Sequence, residues 1–249
     1  MKAILKVSLV AALGVGLLAC AGCVRRVPLV LNNQVSDSEQ TAPLGGAAAI
    51  DLHVDQPAGE LFVQSAATSE TAVSGRFTYA PADLRPELSS SLLGGTRDVG
   101  VDSPNARPVN LPGGKLRNEW SLSVAPNVPA NLTVTLGAGK GRLDLRGIEL
   151  TGLDLQQGAG DVSVDLSGQS NTVDVRATLG AGKATFTVPQ SARVRVLGGK
   201  DGIGSFNAQG FTTDGAYLVN DAYASSSATQ TITISVQRGV GEVDIIEVP

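Results

Sequence analysis

An all-β fold of stacked, two-armed strand units is what this sequence predicts, on three grounds. Leu136-Gly-Ala-Gly-Lys140 recurs as Gln157-Gly-Ala-Gly-Asp161 and Leu179-Gly-Ala-Gly-Lys183, with Gly139, Gly160 and Gly182 spaced by 21 and 22 residues. That period belongs to supersecondary units that stack on one another. Apolar residues alternate on both sides of each corner: Leu132 and Val134, Leu153 and Leu155, Val175 and Ala177 before it, Leu143 and Leu145, Val164 and Leu166, Phe186 and Val188 after it. Period-two alternation marks strands with one buried and one wet face. Between copies lie Arg146-Gly-Ile-Glu149, Ser167-Gly-Gln-Ser-Asn171 and Pro189-Gln-Ser191, which are rich in turn formers. Each copy therefore reads strand, Gly-Ala-Gly corner, strand, second corner.

Two arrangements fit such a repeat. In a parallel β-solenoid each copy is one coil of 21–22 residues, stacked about 4.8 Å from the next. In an antiparallel β-meander or sandwich the Gly-Ala-Gly closes a hairpin. The recurrence of register, both corners and length together favours the solenoid. Its structural corners are then Gly137, Gly139, Gly158, Gly160, Gly180 and Gly182, with Gly239 and Gly241 in a last unit. Lys140, Asp161 and Lys183 should stack as a column, with Asp161 in reach of a lysine.

The chain divides into four expected segments. Residues 1–19 read as an export signal peptide, because Lys2 and Lys6 precede an apolar run, Val7 to Ala19, that is too short to span a bilayer. Leu17-Leu18-Ala19-Cys20 resembles a bacterial lipobox, which implies cleavage before Cys20 and lipid attachment there, with Cys23 as second choice. Residues 20–47 are expected to be lipid anchor and flexible linker, since little in them can bury apolar area. Residues 48–118 form an N-terminal β region. Ile50, Leu52, Val54, Gly59, Leu61 and Val63 look like a degenerate first copy, Gly75 to Tyr79 reads as a further strand, and Pro81 to Pro112 is an irregular excursion with one or two strands. Residues 119–249 are the repeat domain. It opens on Trp120, Leu122 and Val124, continues after the three copies with a shorter fourth unit around Val194, Gly199-Lys200 and Phe206, and closes on a unit from Ile232 to Ile245. Terminal units are expected to be atypical because they cap the core.

Composition narrows the function. The chain carries 19 basic and 23 acidic residues, net −4, and loss of Lys2 and Lys6 with the signal makes it more acidic. No clustered Lys and Arg mark a nucleic-acid footprint. Cys20-Ala-Gly-Cys23 lacks the second ligand pair that a zinc site needs, and the sole histidine, His53, falls in a strand alternation. With no other cysteine the fold must stand without disulfides. The Gly-Ala-Gly segments match neither a phosphate loop nor a dinucleotide fingerprint. Outward Asp144, Asp154, Asp161, Asp165 and Asp174 read as solubilising charges, since one Trp, three Tyr and five Phe offer few sugar platforms. The sequence thus predicts no enzyme, cofactor, metal or small-molecule substrate.

Asn118-Glu-Trp120, the Gly-Ala-Gly corners and Tyr217-Leu-Val-Asn-Asp-Ala-Tyr223 carry a family resemblance. Trp120 through Val248 resembles the bacterial envelope domains called toast-rack, adhesin-like, and LiaF-like or cell-wall-active-antibiotic-response; residues 48–118 resemble the N-terminal half of the toast-rack arrangement. The resemblance implies a right-handed solenoid-like fold and an envelope setting, and it carries over no catalytic or binding residue. LiaF-like members hang from several membrane helices, which the sequence lacks, and this argues against a direct two-component role. The expected function is that of a lipid-anchored, non-enzymatic envelope protein held to the membrane through its N-terminal lipid. Its strand face would meet envelope polymer, surface-layer protein or another envelope subunit. The alternative is an envelope-stress accessory that modulates a membrane sensor.

Overall fold

Alternating apolar residues on both sides of a glycine corner produce one long bent strand in this chain, not two short ones. The structure, a computed structural model, describes residues 34–105, 116–198, 202–224, 228 and 230–249. The expected signal peptide 1–19, Cys20 and Cys23 lie outside the described residues, as do Gly199-Lys200 of the fourth unit. The strands are β1 (Ser36–Pro43), β2 (Ala49–Ser65), β3 (Thr71–Ala80), β4 (Glu87–Leu93), β5 (Thr96–Asp102), β6 (Arg117–Val124), β7 (Ala130–Asp144), β8 (Leu150–Asp165), β9 (Val173–Pro189), β10 (Arg193–Gly198), β11 (Phe206–Ala208), β12 (Thr212–Asp214), β13 (Tyr217–Val219) and β14 (Thr231–Val248). Among the described residues they form one mixed sheet, in the order β1-β3-β6-β2-β7-β8-β9-β14-β10-β13-β12 along its main path.

The repeats pair in parallel and in register, which rules out the meander and the sandwich for them. Gly139 stands opposite Gly160, and Gly160 opposite Gly182. Pairing continues through the corner, because Ala138, Ala159 and Ala181 are also partners. The second glycine of each corner has positive φ, 134° at Gly139, 116° at Gly160 and 130° at Gly182, a region that residues with a Cβ rarely occupy. Space demands glycine as well. A Cβ on Gly160 would lie 1.9 Å from the carbonyl oxygen of Gly139, and one on Gly139 would lie 1.9 Å from that of Gly59. The degenerate copy in β2 joins the same ladder, with Gly59 opposite Gly139.

Both arms of every bent strand face one core. Leu132, Leu155 and Val175 from the first arms and Leu143, Val164 and Phe186 from the second are all buried in a single cluster. The second corners close on local backbone bonds, such as the Ile148 amide to the Leu145 carbonyl at 3.2 Å. Buried Gln169 ties two of them together: its Nε2 donates to the Ile148 carbonyl at 3.1 Å and its Oε1 accepts from the Leu150 amide at 3.3 Å. Such amides satisfy turn groups that no strand reaches.

Two expectations change. The unit read as last in the stack is not at its end: β14 lies between β9 and β10, parallel to both, with Gly241 opposite Gly182. Its apolar alternation on both arms suits a position covered on both edges, and β10 with β11, too short to hold a full unit, covers it outside. The expected linker 20–47 contains a strand. Ser36–Pro43 forms β1, antiparallel to β3 at the sheet edge, where Ala42 is fully buried. The Pro81–Pro112 excursion supplies the β4–β5 hairpin, which pairs through β5 with the first arm of β2, while β6 pairs with its second arm.

The two-faced register predicts opposite outcomes at adjacent residues. Val164 is 1% exposed, so Val164→Asp should bury an unpaired charge and cost about 3 kcal/mol or more. Ser163→Asp, one residue away on the solvent side, should stay within about 0.5 kcal/mol. Urea unfolding of both variants checks this; equal tolerance contradicts the register.

Candidate functional site

Stacked copies repeat whatever stands just after the corner. One residue past the second glycine, the outward row reads Glu119, Glu60, Lys140, Asp161, Lys183 and Glu242 across β6, β2, β7, β8, β9 and β14. Two residues further along, a second outward row holds Ser121, Phe62, Arg142, Ser163, Thr185 and Asp244. The small hydroxyl residues of this row, together with Gly141 beneath it, leave a groove of about 690 Å³, to which Arg76 and Thr78 of β3 contribute one end. It runs across the strands from β3 to β9, five spacings or about 24 Å.

The groove holds both charges and one aromatic platform. The Arg142 guanidinium lies over the Phe62 ring at 5.9 Å from its centre, a cation–π contact that orients the side chain over the floor. Lys140, Arg142, Glu60 and Asp161 make no ion pair among the described residues. Lys183 pairs instead across to β14, 2.6 Å from Asp244 and 3.4 Å from Glu242. The expected reach of Asp161 to a lysine is therefore not realised. The column forms at strand spacing, but β14 offers Lys183 two carboxylates where β8 offers one. At the groove end Arg117 pairs with Glu119 at 2.8 Å and Arg76 with Glu39 at 2.8 Å.

Beneath the corner at that end, the floor is fixed by amides. Trp120 Nε1 donates to Asn118 Oδ1 at 2.6 Å, Asn118 Nδ2 donates to the Ala58 carbonyl at 2.6 Å, and Gln56 Nε2 donates to the Asn118 carbonyl at 3.1 Å. Trp120 also meets Phe77 edge to face at 5.7 Å. The Asn118-Glu-Trp120 signature thus closes the corner stack, with the Asn118 carbonyl facing Gly59 as each repeat's carbonyl faces the next glycine.

The other candidates scatter. His53 is exposed on the first arm of β2, beside Asp55 and Asp102 in a shallow depression. Asp144 and Asp165 are both held by Arg146, at 2.8 and 3.3 Å, near the second corner. Hydrogen bonding from Arg146 holds Asp144 below the usual carboxylate range. Among the described residues no three His, Cys, Asp or Glu cluster as metal ligands. The sequence reading named the Lys140, Asp161, Lys183 column but missed Phe62 with Arg142. Their common register, three residues past Gly59 and Gly139, was the available signal.

The model of one protein family, the N-terminal domain of toast_rack, DUF2154, matches residues 31–187, more than half of the chain. No curated protein matches. The crystal structure of a candidate cell adhesion protein from Clostridium sporogenes is similar, at 26% identity and TM-score 0.78, covering 86% of this chain and 100% of that one. A candidate adhesin from Parabacteroides merdae covers 88% of this chain and 98% of its own, at 11% identity and TM-score 0.25.

The Lys183 pair sets a pH dependence. Hydrogen bonding from Lys183, then from Asn207, holds the Asp244 carboxyl below its ordinary value. A lowered folded pKa gives stability that is complete above the unfolded value, about 3.9, and is lost as pH falls through the folded one. The melting temperature should therefore fall more steeply below about pH 4 in the wild type than in Asp244→Asn. Identical slopes contradict a folded-state pair.

Proposed function

We propose, for a chain that belongs to the family of the N-terminal domain of toast_rack, that it works as an exported, lipid-anchored, non-enzymatic protein of the bacterial cell envelope. Its parallel ladder is best described as a right-handed β-solenoid with coils of 21–22 residues, the spacing of Gly139, Gly160 and Gly182. Similarity to a candidate cell adhesion protein at 26% identity supports an adhesin-like role. The N-terminal Lys2, Lys6, apolar run and Cys20 support export and acylation.

The observation that carries the binding role is the groove. It crosses six strands, keeps Lys140, Arg142, Glu60 and Asp161 free of ion pairs among the described residues, and offers Phe62 as a flat apolar surface. An extended envelope polymer carrying hydroxyls and charges of both signs matches that lining, since β6, β7, β8 and β9 each present a polar pair and adjacent strands stand about 4.8 Å apart. Compact small molecules use only a fraction of such a trench.

Pull-down by the acylated full chain tests the reading against isolated cell-wall polymer and against surface-layer protein. Polymer should be retained, and Arg142→Ala should weaken retention by about tenfold, the equivalent of ~1.4 kcal/mol. Asp102→Ala, away from the groove, should leave it unchanged. Retention of polymer that is indifferent to Arg142→Ala and Lys140→Ala would remove the groove from the account.

A further inference from the structure

Among the described residues, four of the eight exposed large apolar side chains, Val35, Leu116, Ile203 and Val240, line one edge of the sheet. The corner residues between the two glycines, Ala138, Ala159 and Ala181, are exposed and stack in register. Beyond them the row enlarges: Val240 takes the same position in β14, 55% exposed, and Ile203 bridges to it, 72% exposed. In the other direction β6 and β1 end at the same edge, since Ser36 pairs with Tyr79, Tyr79 with Asn118, and Glu119 with Glu60 beside the Gly59 corner. Val35, 50% exposed, and Leu116, 45% exposed, stand there just before those strands. The crest runs about eight strand spacings, roughly 38 Å.

The chain itself indicates what covers this crest. Residue 34 opens the described part at this edge, next to Val35, and Cys20 lies 14 residues upstream. A lipid on Cys20 would therefore join the fold at the crest edge, through a segment that spans at most about 50 Å. A second copy of the chain is the poorer occupant. A ridge one residue wide and about 38 Å long offers on the order of 200 Å², against about 800 Å² per partner in a standard interface. The flanking row, Glu119, Glu60, Lys140, Asp161, Lys183 and Glu242, carries both signs with an acidic excess, so the surface it suits is a zwitterionic headgroup layer rather than an anionic one.

From this we infer that the Gly-Ala-Gly corner edge is the face the protein lays on the lipid bilayer, with Val240 and Ile203 seated at the headgroup boundary. The inference rests on the reading of Cys20 as acylated. It makes the groove, which starts one residue past the corner, a membrane-proximal trench that opens sideways. Leu92 and Leu93 form the control. They are exposed at the tip of the β4–β5 hairpin, where Thr96 pairs with Ala49 at the far end of the first arm, and so lie on the opposite edge.

Depth-dependent quenching tests it. The acylated full chain carrying Cys23→Ser is given one fluorophore-labelled cysteine, by Val240→Cys or by Leu93→Cys. It is reconstituted into phosphatidylcholine vesicles containing nitroxide-labelled phosphatidylcholine and recovered by flotation. Circular dichroism confirms that each variant is folded. Quenching at position 240 should exceed that at position 93 by about fivefold or more. Flotation with equal or reversed quenching overturns the proposed orientation and leaves the anchor standing. Failure of the chain to float, with no lipid on Cys20, overturns the anchor and the orientation with it.

Discussion

Backbone packed directly on backbone at the glycine corners is the constraint on which the rest of the molecule depends. In each layer the second glycine sits against the carbonyl oxygen of its predecessor: Gly139 on Gly59, Gly160 on Gly139, Gly182 on Gly160 and Gly241 on Gly182. Any side chain there would have to displace a neighbouring strand, and positive φ disfavours one independently. The contact fixes the bend at the same residue in every layer. With period-two alternation, a fixed bend decides which side chains of both arms face inward, because a one-residue slip would turn the entire apolar set to solvent. The core columns and the outward charge rows are therefore consequences of the same stacking, and the groove exists because Gly141, Ser163 and Thr185 are small in rows that stacking aligns.

The two ends of the stack are built alike. On one side β5 and β6 each cover one arm of β2; on the other β10 and β11 each cover one arm of β14. Splitting the outer layer lets each arm be covered without a full bent strand, and it leaves the open edges to short or polar strands that resist further pairing. Buried amides finish the corners at these ends. Asn118 does so beside Gly59, and Asn220 accepts from the Val194 amide at 2.9 Å and donates to the Ala192 carbonyl at 2.9 Å. Both belong to the sequence segments, Asn118-Glu-Trp120 and Tyr217 to Tyr223, that carry the family resemblance.

Local repetition made the repeat body legible: the Gly-Ala-Gly spacing and the inward columns through Leu143, Val164 and Phe186 follow from the letters alone. Non-local choices were not legible. Nothing in Ile232 to Ile245 states that β14 enters between β9 and β10, because pairing partners separated by dozens of residues leave no mark on either segment's own pattern. Ser36–Pro43 read as linker because an edge strand exposes much of its surface, so its alternation of Ser, Glu and Thr lacks the apolar signal that identifies buried strands. Ala42 against β3 is its only fully buried anchor. The candidate site was half visible. The Lys140, Asp161, Lys183 column lay in the repeat, whereas the choice of Lys183 for Asp244 depended on which strand became its neighbour.

That neighbour relation can be measured directly with paired cysteines in a chain whose Cys20 and Cys23 are serine. Arg176 of β9 and Ser235 of β14 are partners on the outward face of the first arms, and Leu197 of β10 lies one strand further out. Neighbouring parallel strands hold Cα atoms about 4.8 Å apart, within disulfide range, whereas two spacings, about 10 Å, exceed it. Oxidation should join Arg176→Cys to Ser235→Cys and leave Arg176→Cys with Leu197→Cys unjoined. The reverse pattern would place the units in sequence order and contradict the inserted, in-register stack.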